Sequence, residues 1–101
     1  MDVKVVDNPD MGRFEILADG EVAGFSLYQR YGHEIVFTHT ETDAQFKGHG
    51  LGSALVRASL DAAREQHLKV LPYCPFVQSW IGSHPEYADL VPEDRRAQFG
   101  L

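Results

Sequence analysis

Apolar and polar residues alternate over the first forty positions of the chain, and this period of two predicts β-strands. The residues from Val3 to Val6 form a short β-prone opening, which ends at the turn sequence Asn8-Pro9-Asp10. Phe14, Ile16 and Ala18 follow at alternate positions, which predicts a second strand with one buried face.

The dipeptide Asp19-Gly20 predicts a tight hairpin turn, because a type I′ turn needs positive φ at both central residues. A looser turn at Arg30-Tyr31-Gly32 leads into a stretch from His33 to Thr40 that is rich in β-branched and aromatic residues. These segments predict an antiparallel meander. One face of the strand after the first turn is expected to hold Ala23, Phe25 and Leu27.

The period becomes helical after Gly48, and the pattern predicts a helix from Leu51 to His67. A short strand over Leu68–Leu71 follows, and Pro72 places it at a sheet margin or ends it early. Pro75 is expected to start a second helix, which stops between Gly82 and Pro85. The long helix is expected to bury Leu51, Ala54, Leu55, Ala58 and Ala62, and the short one Phe76, Val77, Trp80 and Ile81.

The chain has 101 residues, of which 44% are apolar and 24% are charged. This composition is typical of a folded globular domain and argues against a disordered chain. A run of strands followed by a long helix, a strand and a short helix predicts an α+β fold with the helices packed on the sheet. We expect a single domain over residues 1–101, with a loosely ordered polar tail from about residue 92.

The formal charge is −6, from fifteen acidic and nine basic residues. No basic stripe is present, so we expect no nucleic-acid partner. The single cysteine, Cys74, excludes an intramolecular disulfide. The chain opens without a basic segment followed by an apolar one, and no apolar run approaches the ~18–20 residues of a membrane span. The sequence therefore predicts a cytoplasmic protein without a membrane partner, either a monomer or a homodimer.

The most informative segment is Gln45–Ser53, which holds three glycines at alternate positions between a strand and a helix. The helix that begins near Leu51 leaves its first amides unpaired, and these donors together with the helix dipole favour an anion such as a pyrophosphate. Lys47 and His49 add charge or hydrogen bonds at the rim. The same residues also fit a flexible, glycine-capped loop without a ligand, and neither a P-loop nor a G-x-G-x-x-G motif is present.

The sequence Lys47-Gly48-His49-Gly50-Leu51-Gly52, followed by Ser53–Val56, resembles the Arg/Gln-x-x-Gly-x-Gly/Ala signature of the GNAT acyltransferase superfamily. Lys47 departs from the usual Arg or Gln. The signature is also met two residues earlier, from Gln45, but the later register runs directly into the helix as the family requires. Matches outside the loop extend the resemblance to small, single-domain GNAT-like proteins over about residues 10 to 91; they are His39-Thr40-Glu41, Leu68-Lys69-Val70, Cys74–Val77 and His84–Tyr87.

The resemblance implies that acetyl-CoA is the co-substrate, with its pyrophosphate on the loop amides and its pantetheine against the backbone of the fourth strand. Larger GNAT enzymes carry two helices between the first two strands, where Asn8–Gly12 leaves room only for a turn. The acceptor site is therefore more open here or built differently. The binding residues that the resemblance implies are Thr38, Thr40, Lys47, Gly48, His49, Gly50, Leu51, Gly52 and Ser53.

Three residues are candidates for the chemistry of acyl transfer. Glu41 and His39 lie near the loop and are expected to take a proton from the amine, directly or through water. Their structural alternatives are a solvated carboxylate and a half-buried histidine on the face of Ile35 and Phe37. Cys74 follows the fifth strand near the expected CoA thiol, where it would form an acyl-cysteine or protonate the departing CoA, unless it is a small buried hydrophobe.

These features predict an N-acetyltransferase that moves an acetyl group from acetyl-CoA to a primary amine of a small molecule or a peptide, without a metal. Two other classes of function stay open. One is a non-catalytic sensor that binds CoA or a nucleotide through the same loop. The other is an interaction domain that pairs through an open sheet edge.

Overall fold

A computed structural model describes residues 1–101, which form a sheet with two helices and several short 3-10 turns. The strands are β1 Val3–Asn8, β2 Arg13–Ala18, β3 Glu21–Tyr31, β4 Glu34–Thr42 and β5 Lys69–Pro72. The helices are α1 Leu51–Glu65 and α2 Pro75–Ser83, and the 3-10 turns are Ala44–Phe46, Pro85–Leu90, Glu93–Arg95 and Ala97–Phe99.

The sheet has five strands in the order β1-β2-β3-β4-β5. The first four are antiparallel neighbours, and β5 joins β4 in parallel after the crossover through α1. The predicted meander is therefore confirmed, and so is the turn between β2 and β3, where Asp19 has φ of 51° and Gly20 has φ of 85°. The prediction for the short strand is also confirmed, since β5 ends at Pro72 and lies at the edge of the sheet.

A β-bulge in β3 reverses the expected face of that strand. Leu17 pairs with Val22 and Ile16 with Gly24, so Ala23 is an extra residue without a partner on β2. Past this point the alternation shifts by one residue. Ser26 and Tyr28 are buried, while Phe25 and Leu27 are only half-buried on the opposite face, so the expected alignment of Phe25 and Leu27 with Ala23 is wrong.

Helix α1 packs on one face of the sheet, and its long side chains make the contact. Leu51 and Leu55 are buried as expected, but Ala54 is exposed and Ala58 and Ala62 are half-buried. The predicted face is wrong at these alanines, because the buried side of the helix lies one position further along, at Leu55, Ser59 and Ala63. The buried residues of α1 are Leu51, Leu55, Val56, Ser59, Leu60 and Ala63.

Helix α2 begins at Pro75 and ends before Pro85, as predicted. Val77, Trp80 and Ile81 are buried in the cluster of 23 residues that also holds the buried side of α1 and of the sheet. Phe76 is not part of this core, because it is 46% exposed. The expectation that Phe76 packs in the core is wrong.

The C-terminal tail is packed rather than loose. Phe99 is buried and meets Tyr73 edge-on, with ring centroids 5.1 Å apart. The Arg95 guanidinium donates to the Tyr73 hydroxyl at 2.9 Å, and the Arg96 Nε donates to the Val91 carbonyl at 3.0 Å. The expectation of a frayed tail is wrong because one aromatic side chain in a polar segment provides an anchor.

Candidate functional site

The loop between β4 and α1 is shaped by two glycines with positive φ. Asp43 starts it by accepting a hydrogen bond from the Gln45 amide at 3.0 Å. Gly48 has φ of 89° and Gly50 has φ of 68°, conformations that L side chains rarely adopt. Gly50 is also the residue that precedes α1, so the chain enters the helix through a left-handed residue.

The first turn of α1 presents amides without internal partners. The first hydrogen bond of the helix runs from the Ala54 amide to the Gly50 carbonyl at 3.1 Å, and no side chain caps this end. The amides of Leu51, Gly52 and Ser53 precede that bond and have no backbone acceptor. The first turn also holds no acidic residue, so the positive end of the helix dipole is uncompensated. This arrangement suits an anion.

A cleft of about 440 Å³ lies over this helix end. Thr42 and Asp43 form its β4 side, Lys47 lies on the loop, and Phe76 lies on the α2 side. The remaining lining residues are Ala44, Phe46, Gly48, Gly50, Leu51, Gly52 and Ser53. The cleft therefore combines free amides, the cationic Lys47, the acidic Asp43 and one exposed aromatic ring.

The strands β4 and β5 separate next to the cleft. They pair from Glu34 with Lys69 to Phe37 with Pro72, and the Cys74 amide then donates to the Phe37 carbonyl at 2.9 Å. Beyond this bond β4 continues to Thr42, whereas the other chain turns into α2. The last part of β4 is thus left without a neighbour on its β5 side.

A second β-bulge, in β4, decides which way the candidate residues face. Leu27 pairs with His39 and Tyr28 with Phe37, so Thr38 has no partner on β3. The extra residue turns His39 away from the face of Phe37, and the His39 side chain is 56% exposed. The expectation that a regular strand would put His39 on the Ile35/Phe37 face is wrong for this reason.

His39 and Glu41 form a pair on the sheet face that carries no helix. The His39 Nε2 and the Glu41 Oε1 are 3.7 Å apart, and both side chains are more than half exposed. Glu41 also lines a second depression of about 360 Å³, which shares Thr42 and Asp43 with the cleft over the helix end. The two concavities therefore meet at the end of β4.

Arg13 and Phe25 form the opposite wall of this second depression. The Arg13 guanidinium lies 4.6 Å from the centroid of the Phe25 ring, and its Nε donates to Glu15 at 2.8 Å. This hydrogen bond is the main reason that the pKa of Glu15 lies below its usual range, against the opposing effect of burial. Arg13 is thus occupied by Glu15, while Glu41 and Asp43 keep the depression acidic.

Thr40 and Cys74 face the helix side of the same strand. The Cys74 thiol donates to the Thr40 Oγ1 at 3.4 Å, and this Oγ1 lies 2.9 Å from the Ser26 Oγ. Cys74 and Ser26 are buried, and Thr40 is half-buried. The chain of three groups connects β3, β4 and the residue before α2.

The structure groups the candidate residues into three sets. Lys47, Gly48, Gly50 and Leu51–Ser53 line the cleft, whereas Thr38, Thr40 and His49 do not. Thr40 lies with Cys74 on the helix side of β4, while His39 and Glu41 lie on the open side.

Sequence reasoning missed the cleft positions of Phe76, Thr42 and Asp43. Thr42 and Asp43 come just before the predicted loop, so the position of the loop could have indicated that they lie beside the cleft. Phe76 had no such signal, because its helical spacing matches that of core residues.

No group of three or more His, Cys, Asp or Glu side chains is arranged to hold a metal ion. None of the helices has both the length and the apolar character needed to cross a membrane.

Residues 13–90 match the family model of the GCN5-related N-acetyl-transferases. The chain belongs to this family. Among its relatives are the proteins named NATD1 of chicken, mouse and human, each 33% identical over 60 residues, or 58% of this chain. The aligned segment covers 54% of the chicken and mouse proteins and 53% of the human one, so the chain spans about half the length of these relatives.

Two solved structures of similar proteins agree with the fold. A GCN5-like protein from Staphylococcus aureus, solved by NMR, superposes with a TM-score of 0.67 at 23% identity over 88% of this chain and 87% of that one. The crystal structure of Ard1 from Thermoplasma volcanium superposes with a TM-score of 0.52 at 31% identity over 58% of this chain and 41% of that one. The α+β, GNAT-like fold expected from the sequence is thereby confirmed.

Proposed function

We propose that this protein binds acetyl-CoA and transfers the acetyl group to a primary amine of a small molecule or a peptide. The observation that carries the proposal is the set of unpaired amides at Leu51, Gly52 and Ser53, which open into a cleft at the start of a 15-residue helix. Membership of the GCN5-related N-acetyltransferases supports the reaction class.

The residues of the cleft fit an acyl-CoA. The free amides of α1 hold the pyrophosphate, and the exposed Lys47 adds a positive charge beside them. The backbone of β4 around Thr38 and Thr40, which has no β5 partner, is available for hydrogen bonds to the amide groups of pantetheine. His49 remains exposed at the rim, with its amide bonded to the Phe46 carbonyl at 3.4 Å.

The two faces of β4 suit two different roles in the reaction. Glu41 and His39 face the open side of the sheet, where an acceptor amine arrives from solvent and loses a proton to Glu41, with His39 beside it. Cys74 faces the helix side, where the thioester sulfur is expected, and the amine reaches the thioester through the gap beside β4 that β5 leaves open. The amine nitrogen forms a bond to the acetyl carbon, the carbon–sulfur bond breaks, and the Cys74 thiol protonates the departing CoA thiolate.

The buried position of Cys74 favours this direct route over an acyl-cysteine. Cys74 is 2% exposed and its thiol proton is directed at Thr40, so either role requires the thiol to turn from that partner. The direct route then moves only a proton, whereas an acyl-cysteine also needs room for an acetyl group at this buried position. Intact-mass measurement after mixing with acetyl-CoA distinguishes the routes. A mass increase of one acetyl group that disappears in Cys74→Ala would replace the direct route by the covalent one.

Binding is tested by calorimetry with acetyl-CoA on a matched pair of variants. Asn and Asp tolerate the left-handed conformation of Gly50 to a similar extent, so Gly50→Asn and Gly50→Asp differ mainly in charge. We expect Gly50→Asp to bind at least about tenfold more weakly than Gly50→Asn, since a carboxylate beside the amides opposes the pyrophosphate. Equal affinities for the two variants would remove the loop from the binding site.

Turnover is tested by following the release of free CoA thiol across a panel of primary amines. Glu41→Gln should keep the affinity for acetyl-CoA and lower the rate, because the amide cannot accept the proton. If the wild-type protein binds acetyl-CoA but releases no thiol with any amine, the sensor interpretation replaces the enzyme. If the protein binds no CoA derivative and forms a stable oligomer, the interpretation as an interaction domain replaces the enzyme.

A further inference from the structure

The ring of Phe76 lies against the backbone of α1 at the mouth of the cleft. Phe76 stands in the first turn of α2, and a Cβ placed on Gly52 would lie 2.9 Å from its Cζ atom. No real Cβ contact is that short, so the ring fills the space that a side chain at position 52 would need. The two helices therefore meet here through a phenyl ring and a bare backbone.

The contact with Phe76, and not the backbone conformation, explains why position 52 favours a glycine. Unlike Gly48 and Gly50, Gly52 has no positive φ, and it lies inside the first turn of α1. A helical glycine lowers stability by roughly 1 kcal/mol relative to alanine. The close approach of Phe76 supplies a physical reason for a glycine at this position.

The ring nevertheless stays half-exposed. Trp80, one turn further along α2, is buried and donates to the Ser53 hydroxyl at 2.8 Å, whereas Phe76 is 46% exposed. Ala44, Phe46 and Leu51 add further apolar surface to the lining of the cleft, beside the backbone amides and the polar side chains. An anion alone gains nothing from this apolar surface, whereas a ligand with an apolar portion next to its anionic group gains affinity by covering it.

The position of the ring indicates which portion that is. Phe76 lies two residues after Cys74, whose amide bonds to Phe37 at the point where β4 and β5 separate. The ring therefore stands on the α2 side, between the free amides of α1 and the gap beside β4. A ligand that reaches from the amides into the gap has the ring on its α2 side.

We propose that Phe76, seated on Gly52, is the specificity-determining wall for the pantetheine arm of the acyl-CoA, contacting its methyl and methylene groups. The proposal rests on the proposed function, since it assumes that an acyl-CoA occupies the cleft. Because the pyrophosphate joins the pantetheine arm to the adenosine, this assignment predicts that the adenosine portion does not contact the ring.

Binding of three probes tests this assignment: acetyl-CoA, 4′-phosphopantetheine and adenosine 3′,5′-diphosphate. Removal of a contact of about 50 Å² costs about tenfold in affinity. We expect Phe76→Ala to weaken acetyl-CoA and 4′-phosphopantetheine by about this factor and to leave adenosine 3′,5′-diphosphate unchanged. Tyr31→Ala is the control, because it removes an exposed aromatic ring at the far end of β3 and should change none of the three affinities.

The contact between Gly52 and Phe76 gives a second, independent test. Gly52→Ala forces the ring aside, since the nearest atom is the tip of a side chain, and should weaken acetyl-CoA several-fold while raising thermal stability. Gly82→Ala is the matched control in α2, with no atom within 4 Å of the new Cβ. In the double variant Gly52→Ala/Phe76→Ala, the glycine substitution should have no further effect on affinity.

The outcomes separate this inference from the proposed function. If the wild-type protein binds acetyl-CoA and Phe76→Ala binds it equally well, the wall is wrong and the function stands. If Phe76→Ala weakens adenosine 3′,5′-diphosphate as strongly as acetyl-CoA, the ring contacts the nucleotide and the assignment to pantetheine is overturned. A wild-type protein that binds none of the three probes would refute both.

Discussion

The thiol of Cys74 and the hydroxyl of Thr40 are hydrogen-bonded, with 3.4 Å between Sγ and Oγ1. The same hydroxyl lies 2.9 Å from the Ser26 Oγ, so one polar chain connects β3, β4 and the start of α2. It lies where β4 loses its parallel neighbour, and it holds in place the strand end on which the proposed chemistry depends.

Thr40→Val tests the strength of this connection. The substitution keeps the shape of the side chain but leaves Ser26, which is fully buried, without its hydrogen-bond partner. We expect a loss of about 1–2 kcal/mol in the free energy of unfolding, measured by urea denaturation. Thr38→Val, on the exposed neighbour in the same strand, should change it by less than about 0.5 kcal/mol.

The double variant Ser26→Ala/Thr40→Val provides the check. Since it removes both partners of the bond, its loss should be smaller than the sum of the two single losses. Strictly additive losses would mean that the two hydroxyls do not depend on each other.

Gly50→Ala should lower stability through the backbone. Gly50 has φ of 68°, where an L side chain costs roughly 1 kcal/mol, and a melting temperature lower by about 4–8 °C is expected for a domain of this size. Gly82→Ala, at a helical position with open space, should melt at the same temperature or higher. Equal melting temperatures for the two variants would contradict the left-handed conformation at position 50.

Tyr28 should make the fold sensitive to alkali. Burial, and then its hydrogen bond to Asp7 at 2.6 Å, raise the pKa of Tyr28 from 10.0 to about 12. Because the folded state holds this proton more tightly than the unfolded chain, the stabilisation is complete below pH 10 and disappears as the pH rises towards 12.

Phenolate absorbance during an alkaline titration measures this behaviour. Tyr28→Phe should remove one late-titrating phenol and flatten the fall in stability over the same pH range. The remaining late phenol should be Tyr87, whose pKa is also raised, mainly by its hydrogen bond to Asp61. A Tyr28→Phe protein with an unchanged titration would show that Tyr28 is not the perturbed group.

Phe99→Ala tests whether the tail contributes to the fold. The side chain is 5% exposed and packs edge-on against Tyr73, so we expect a loss of about 3 kcal/mol or more in chemical denaturation. Gln98→Ala, on its exposed neighbour, should cost about 0.5 kcal/mol or less. If Phe99→Ala leaves the free energy of unfolding unchanged, the tail does not contribute to the fold and behaves as the loosely ordered segment that its polar composition predicts.

Local signals predicted most of the architecture but not the orientation of the candidate residues. Asp19-Gly20 and the glycines of the loop specify their own backbone conformations, so the hairpin and the start of α1 were readable from the sequence. The bulges at Ala23 and Thr38 depend on how two strands align with each other, which no single stretch of sequence reveals. For that reason the expected faces of Phe25 and His39 were wrong.

The start of α1 could be predicted from local sequence, whereas the position of Phe76 could not. The unpaired amides follow from any helix that starts at a glycine without a capping side chain, so the cleft was predictable from the loop. The exposure of Phe76 depends on Gly52, which is 24 positions earlier in the chain and on another helix. The hydrophobic periodicity of neither helix indicates this contact, because it depends on how two distant segments pack together.

The unpaired Thr38 has a consequence for the two halves of β4. In a regular strand, neighbouring side chains alternate in a fixed order, and a residue two places on repeats the same side. One additional residue breaks that order, so that Phe37 looks inward while His39 and Glu41 look outward from the same ribbon. The first half of β4 therefore gives its odd-numbered side chains, Ile35 and Phe37, to the core, and the second half gives His39 and Glu41 to solvent, so one strand both anchors the fold and carries the proposed proton acceptor.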